Sequence, residues 1–315
     1  MSLGKNSQKQ QSVQKIELLN KLDNVVGLAD GVSTLKKLMG ASEKVSLTIS
    51  KDNLRIFQIE TGAFFNWEMR DPRTATACLA VAGEYEPKET ALISIITQEC
   101  ETVIDVGANV GYYAVNIPLM SSNVKKLYAF EPLPSVYEQL RINVELNNLN
   151  SRVEYFNFAV SNNENDIELY VPNTFGSSAT SSVELHPEVL SSKVLVKSNT
   201  LDTLYRQGLI KSCDFLKIDV EGAEKFVLEG AQLLLSSERP VILAEILRKW
   251  SLAQGYKAND VLAMLTSLNY KCYSIGEKLH EIQEISDELQ ETNFLFFNLG
   301  NYKHKKILNN LGISL

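Results

Sequence analysis

Apolar and polar positions follow two regimes along the chain. Residues 16–22 and 32–39 repeat with helical spacing. Residues 45–49, 54–59 and 64–69 then alternate with a period of two, separated by Asp52-Asn53 and Thr61-Gly62, which favour turns. This predicts a small N-terminal α+β extension over residues 1–83. From residue 84 the rhythm becomes strand, helix, strand, helix. Apolar runs at 102–106, 126–130, 153–158, 214–218 and 240–245 are separated by helical stretches, and a further pair lies at 271–275 and 294–298. Such alternation implies one α/β domain over 84–315, with parallel strands, crossover helices and a ligand crevice at the strands' carboxyl ends. The last two runs are joined by only 18 residues, which predicts that they pair antiparallel. Ser135 and Glu138 have capping-box spacing at the start of a helix over 135–147, with Val136, Leu140 and Val144 on one face. A helix over 222–228 should end on a left-handed Gly230.

Composition narrows the partners. The 315 residues are 44% hydrophobic and 22% charged, which is ordinary globular usage, and 31 basic against 38 acidic residues leave a net charge of −7. No basic cluster marks a nucleic-acid or anionic-membrane surface, so a small-molecule partner is expected. Cys78, Cys100, Cys213 and Cys272 form no CxxC pair, so neither a zinc site nor a redox pair is expected, and no metal is assigned. The apolar runs are too short to cross a bilayer. The polar N-terminal stretch MSLGKNSQKQQSVQK has no apolar core of a signal peptide, so a cytoplasmic location is expected.

The most informative segment is TVIDVGANVGYY, residues 102–113, in which an apolar strand runs into Gly107, Asn109 and Gly111 and then into a helix. Gly107 and Gly111 let the backbone turn tightly and approach a ligand that a Cβ would exclude. The next strand, LYAFEP, ends on Glu131, placed to accept hydrogen bonds from both hydroxyls of a ribose. A dinucleotide site takes glycine at the middle position for its pyrophosphate. Here that position is Asn109, which suits the carboxylate or amine of an amino acid. Asp105 is placed either to meet a cationic amine or to brace the turn. A ligand with adenosine and a zwitterionic tail fits better than NAD.

VIDVGANVGYY, FEP with a helix ending in NVELNN, AVS, NTLDTL, DFLKIDVEGAEKFVLEGA and PVILAEI stand in the order seen in the FkbM methyltransferases, and GEYEP at residues 83–87 resembles that family's lead-in. The resemblance covers about residues 45–300. It implies the Rossmann-like class I methyltransferase fold, a seven-stranded mostly parallel sheet with an antiparallel last strand. It also implies S-adenosylmethionine as cofactor, with Gly107, Asn109 and Glu131 in its site. Asp105, Gly111 and Asn157 are counted with them as candidate cofactor contacts. Pro118 departs from the pattern and should shorten or kink the first helix.

Methyl transfer from a sulfonium is an in-line displacement that needs the acceptor held in place and, for an alcohol, a proton removed. In FLKIDVEG, residues 215–222, the period of two puts Lys217, Asp219 and Glu221 on one side. Asp219 is the candidate base, acceptor-orienting group or amine contact. Glu221 is a candidate helix cap or, with Asp219, an ion ligand; Lys217 is a counter-ion to either. Glu245, ending PVILAE, is a second candidate base. His186, a further candidate base, lies in the Ser/Thr-rich stretch 174–192, a candidate substrate lid or a surface loop flanked by runs at 167–171 and 194–197. Arg248, Lys249 and Trp250 are candidates for a phosphate or sugar, or the start of a surface helix. The expected activity is O-methylation of a sugar, glycan or polyketide-like hydroxyl, a substrate class that comes from the resemblance. The alternatives are a non-catalytic protein retaining the fold and a NAD-dependent oxidoreductase.

Overall fold

A computed structural model describes residues 43–49, 54–67, 75–172, 180–184 and 190–313. The helical runs expected at 16–22 and 32–39, the end of the run at 64–69, and His186 lie outside the described residues. Two compact units divide between Glu86 and Pro87.

In the first unit, β1 (Val45–Ile49), β2 (Leu54–Gln58) and β3 (Ala63–Asn66) form an antiparallel meander. Alternation puts Val45, Ile56, Ala63 and Phe65 on one buried face. Helix α1 (Ala75–Ala82) packs on β1 and β2.

The second unit opens with α2 (Pro87–Ile96), followed by β4 (Thr102–Val106), α3 (Tyr112–Met120), β5 (Lys126–Phe130), α4 (Pro134–Leu146) and β6 (Val153–Phe156). Next come β7 (Ala159–Val160), β8 (Ile167–Pro172), β9 (Ser191–Val196), β10 (Ser198–Asn199), α5 (Leu201–Arg206), β11 (Phe215–Ile218), α6 (Glu224–Glu229), α7 (Gln232–Glu238) and β12 (Val241–Glu245). The series closes with α8 (Arg248–Ala253), α9 (Ala258–Ser267), β13 (Tyr270–Ile275), β14 (Leu279–Ile282), β15 (Asn293–Asn298) and α10 (Tyr302–Asn310).

The main sheet runs β6-β5-β4-β11-β12-β15-β13-β14. Its first five strands are parallel, and β15 lies antiparallel between β12 and β13. This is the Rossmann-like seven-strand order with an antiparallel last strand, extended by an eighth strand, β14, paired to β13 as a hairpin. Leu279–Ile282 was not expected to be a strand: only four residues long and charged within, it carries too little apolar pattern. One face of the sheet, with Ile104, Val106, Leu216, Ile218, Ile242 and Ala244, packs on α5, α6, α7 and α9 through Leu201, Leu204, Val227, Leu228, Leu234, Leu235, Val261 and Leu265. Burial of this stripe is the main source of stability, about 25 cal/mol per Å² of apolar area.

Several local expectations are corrected. Helix α4 starts from Leu133 with Pro134 in its first turn and has no side-chain cap; Glu138 instead pairs with Arg141. Proline supplies a fixed φ and lacks the N–H that a cap would satisfy, so the Ser135–Glu138 box is not formed. Gly230 follows α6 with φ −80°, outside the left-handed region. It is needed for space, since a Cβ there would lie 2.0 Å from the Ser161 carbonyl oxygen. Pro118 sits in the last turn of α3, which stops at Met120. The stretch expected as a lid or loop is flanked by an antiparallel hairpin, β8 with β9, and Tyr170 bridges Ser181 across it.

Candidate active site

From β4 the chain builds outward through β5 and β6, then returns to the other side of β4 at β11. That reversal opens a crevice at the carboxyl ends of β4 and β11. Three segments meet there: the glycine turn after β4, Glu131 after β5, and Asp219 to Gly222 after β11.

The N–H groups of Gly107 and Ala108 donate to the Phe130 carbonyl at 3.0 and 2.9 Å, fastening the turn to the end of β5. Gly107 has φ +82°, and a Cβ on it would lie 1.8 Å from the Asp219 carbonyl oxygen. Only glycine fits, and this contact sets the glycine turn directly against the end of β11. Asn109 has φ +49° and accepts the Val110 N–H on its own Oδ1 at 2.7 Å, closing the turn. A Cβ at Gly111 would lie 2.6 Å from Leu140 Cδ1, so its lack of a side chain serves the packing of α4. Buried Asn143 donates to the Val110 carbonyl at 2.7 Å. Sequence reasoning missed it, although a polar residue beside Val144 on the apolar face of α4 was the available signal.

Glu131 is 6% exposed. Its Oε2 accepts the Asn109 N–H at 3.0 Å and its Oε1 the Leu133 N–H at 2.9 Å. Burial pushes its carboxyl up to about 7, against the pull of those two N–H groups, and the Asp105 and Asp219 carboxylates push the same way. Asn157 donates from Nδ2 to the carbonyls of Glu131 and Pro132, both at 3.0 Å, so it fixes the segment that carries Glu131.

Asp105 is buried beside Lys217 in the β4–β11 register. Lys217, also buried, reaches Asp219 Oδ2 at 2.9 Å and stands 5.0 Å from the centroid of the Tyr113 ring. Three carboxylates, on Asp105, Glu131 and Asp219, therefore surround the glycine turn with Lys217 among them. A pyrophosphate would meet repulsion here and a cationic ligand attraction. That charge set fits a donor carrying a sulfonium and an ammonium, and so S-adenosylmethionine rather than a dinucleotide.

Beyond Asp219 the chain makes a strained turn. Glu221 has φ +52°, and Ser181 Oγ donates to its carbonyl at 3.1 Å. Glu221 does not cap α6: the cap position is Ala223, without a side-chain bond. Gly222 has φ +95°, and a Cβ there would lie 2.9 Å from Trp250 Cβ. Its carbonyl accepts from Tyr256 Oη at 2.8 Å and its N–H donates to Glu224 Oε1 at 2.9 Å. Glu224 is 1% exposed and 3.0 Å from Tyr256 Oη through Oε2; burial pushes its carboxyl up to about 7.

Glu245 follows Ala244, which pairs with Ile218, so it stands level with Asp219 one strand away; Thr292 Oγ1 lies 3.4 Å from its Oε1. Arg248 donates to the backbone carbonyls of Leu289 and Glu291, which fixes a loop and leaves the phosphate or sugar reading without support. Among the described residues no three or more His, Cys, Asp or Glu side chains are arranged to hold a metal ion, and no helix is long and apolar enough to cross a membrane.

Comparison with known proteins places these features. The methyltransferase FkbM domain matches residues 105–272, more than half of the chain. Methyltransferase sdnD of Sordaria araneosa is 32% identical over 155 residues, covering 41% of this chain and 59% of that protein. Hexuronic acid methyltransferase AglP of Haloferax volcanii is 27% identical over 158 residues, covering 49% of this chain and 61% of that protein. The matches thus span less than two thirds of either curated relative. Among solved structures, methyltransferase FkbM from Methylobacillus flagellatus KT has 15% identity and a TM-score of 0.41, covering 63% of this chain and 44% of that one. The chain belongs to the FkbM methyltransferase family, whose methyl donor is S-adenosylmethionine.

Proposed function

We propose that this protein transfers a methyl group from S-adenosylmethionine to a hydroxyl oxygen of a sugar, glycan or polyketide-like small molecule. The observation that carries the reading is the contact between its two ends: Gly107, beneath the donor, has room for no Cβ because the Asp219 carbonyl occupies that position. The donor turn and the strand end that carries the acceptor-binding carboxylate are thereby packed side by side, which supports the close placement an in-line displacement requires.

Bound S-adenosylmethionine supplies a methyl group already activated on a sulfonium. The residues here bind, orient and move a proton. Glu131 accepts the ribose hydroxyls on the lone pairs left over from Asn109 and Leu133. Asn109, Gly111 and Asn157 shape the walls of that subsite, and Asp105 balances the donor's ammonium. Asp219, fixed by Lys217, accepts the hydrogen bond of the acceptor hydroxyl. Asp219 is thereby placed to take that hydroxyl's one proton as the oxygen accepts the methyl group. Glu245, level with it one strand away, is the second candidate base, and Glu221 shapes the floor through its strained backbone. The Haloferax volcanii relative is named a hexuronic acid methyltransferase, which supports starting acceptor screens with uronic acids.

Calorimetric titration with S-adenosylhomocysteine and NAD, in native protein and Glu131→Ala, tests the donor site. Binding of the first ligand alone, dependent on Glu131, is the expected result. No binding to folded, ligand-free protein sinks the reading and favours a scaffold. Transfer of labelled methyl to a panel of hydroxylated acceptors then tests the acceptor class.

A further inference from the structure

The turn at Glu221–Gly222 is held from outside the sheet by residues far away in sequence. Ser181 Oγ donates its one proton to the Glu221 carbonyl at 3.1 Å and itself accepts from Gln254 Nε2 at 3.2 Å. The same Nε2 donates to Ser182 Oγ at 2.7 Å, so both N–H bonds of the Gln254 amide are engaged. Ser181 is 3% exposed, and its backbone is locked in turn: the Tyr170 N–H donates to the Ser181 carbonyl at 2.8 Å and the Ser181 N–H to the Tyr170 carbonyl at 3.3 Å. Gln254 follows α8, whose Trp250 lies against Gly222. One hydrogen-bonded chain therefore runs from β8 through Ser181 to Glu221, and from α8 through Gln254 to the same serine.

Its target, Glu221, has a left-handed φ that is strained for a residue with a side chain and persists only when its surroundings over-determine it. Two residues before that turn stands Asp219, with its N–H on the Val106 carbonyl at 3.0 Å and its carboxylate on Lys217. The strand end is thus fixed from inside the sheet, and the turn after it from the hairpin and α8.

We propose that Ser181 and Gln254 form a positioning clasp that holds the Glu221–Gly222 turn, and with it Asp219, in the geometry that receives a hydroxylated acceptor. The clasp makes the acceptor side of the site, not the donor side. It joins β8 and α8, neither of which carries a donor-site residue. It rests on the methyl-transfer reading above.

The test compares the full chain with Gln254→Met, which keeps length and removes both donors, with Ser181→Ala, and with Ser181→Thr, which retains the hydroxyl. Hydrogen–deuterium exchange is followed at residues 219–223 and 107–111, alongside S-adenosylhomocysteine affinity by calorimetry. In Gln254→Met and Ser181→Ala, exchange at Gly222 and Ala223 should rise about tenfold, the scale of losing one buried hydrogen bond. Exchange at 107–111 should hold, affinity should stay within about twofold, and Ser181→Thr should restore protection. Unchanged exchange at 219–223 in both variants, or a parallel rise at 107–111 with weaker affinity, overturns the clasp. With methyl β-D-glucuronoside as acceptor probe, the same two variants should raise the acceptor KM about tenfold and leave the S-adenosylmethionine KM alone; equal changes in both also overturn it. If native protein fails to methylate this probe, that counts against the acceptor reading alone, because exchange and affinity still decide the clasp.

Discussion

Glu131 gives the sharpest quantitative test, because its two roles separate by substitution. Its carboxylate offers roughly four lone-pair sites, and the N–H groups of Asn109 and Leu133 take two of them at 3.0 and 2.9 Å. In the proposed donor site the remainder accept the ribose hydroxyls, and a hydrogen bond to a charged group contributes about 1.5–3 kcal/mol. Glu131→Ala should therefore weaken S-adenosylhomocysteine binding by more than about tenfold, with some loss of stability from the two backbone donors left without their acceptor. Glu131→Gln removes the charge and keeps one oxygen for one of the two backbone N–H groups while setting its NH2 against the other, so it should weaken binding and retain only part of the backbone anchoring. The pH dependence supplies an independent reading. Burial raises this carboxyl from 4.5 to about 7 in the free protein, and bonding to ribose hydroxyls favours the charged form. Binding should then release a proton below about pH 7, and affinity should fall toward tenfold per pH unit as the solution is made more acidic. Calorimetry in two buffers of different ionisation enthalpy counts that proton directly. A native affinity flat from pH 5.5 to 8, together with unchanged affinity in Glu131→Ala, would falsify the ribose assignment. The Gln variant is the control for other titrating groups, since it should lose the pH dependence.

Asp219→Asn should fold, bind S-adenosylhomocysteine within about threefold of native, and lose about 10²-fold or more in turnover, the range for general-base or orienting groups; steady-state rates with a saturating donor check it. Gly107→Ala should abolish cofactor binding or folding, since its Cβ would fall 1.8 Å from backbone, whereas Gly111→Ala meets the movable end of Leu140 at 2.6 Å and should be milder; paired thermal melts with and without S-adenosylhomocysteine distinguish them. Glu224 has a folded value near 7 above an ordinary 4.5, so the native state binds more protons between the two. Its contribution is fully present below about pH 4.5 and is lost as pH rises through about 7, a change of about 3 kcal/mol. Glu224→Gln should flatten the decline of Tm between pH 5 and 8, and an unaltered slope would remove Glu224 from the account.

Strand-borne features were legible because their signals are local. The runs at 45–49, 102–106 and 126–130 coincide with β1, β4 and β5, and the glycine turn with Glu131 follows from strand ends plus one spacing. What escaped depends on contacts between distant segments. Gln254 reaches Ser181 across 73 positions and Tyr256 reaches Gly222 across 34, with no periodicity to announce either. The helix starts were misjudged for another reason: Ser135 and Glu138 have the right spacing, but Pro134 already satisfies the first turn. Gly222 and Gly230 were read as part of a helix and its stop, yet their common need is space for Trp250 and for the Ser161 carbonyl.

The carboxylates at the crevice differ less in identity than in neighbours, and that difference divides the labour. Glu131 lies deep, with backbone N–H groups but no cation among its hydrogen-bond partners, so its charge is held weakly until a ligand arrives. Asp219 is less buried and carries Lys217 on its Oδ2, with that lysine over the Tyr113 ring. A carboxylate held by an ammonium keeps its orientation while a substrate exchanges, which suits a group that must present one oxygen to an incoming hydroxyl. The contact at Gly107 sets the two environments side by side: the donor turn lies directly against the Asp219 carbonyl, because no Cβ separates them. Close backbone packing, rather than a shared side chain, is what brings the glycine turn and the end of β11 together at this crevice.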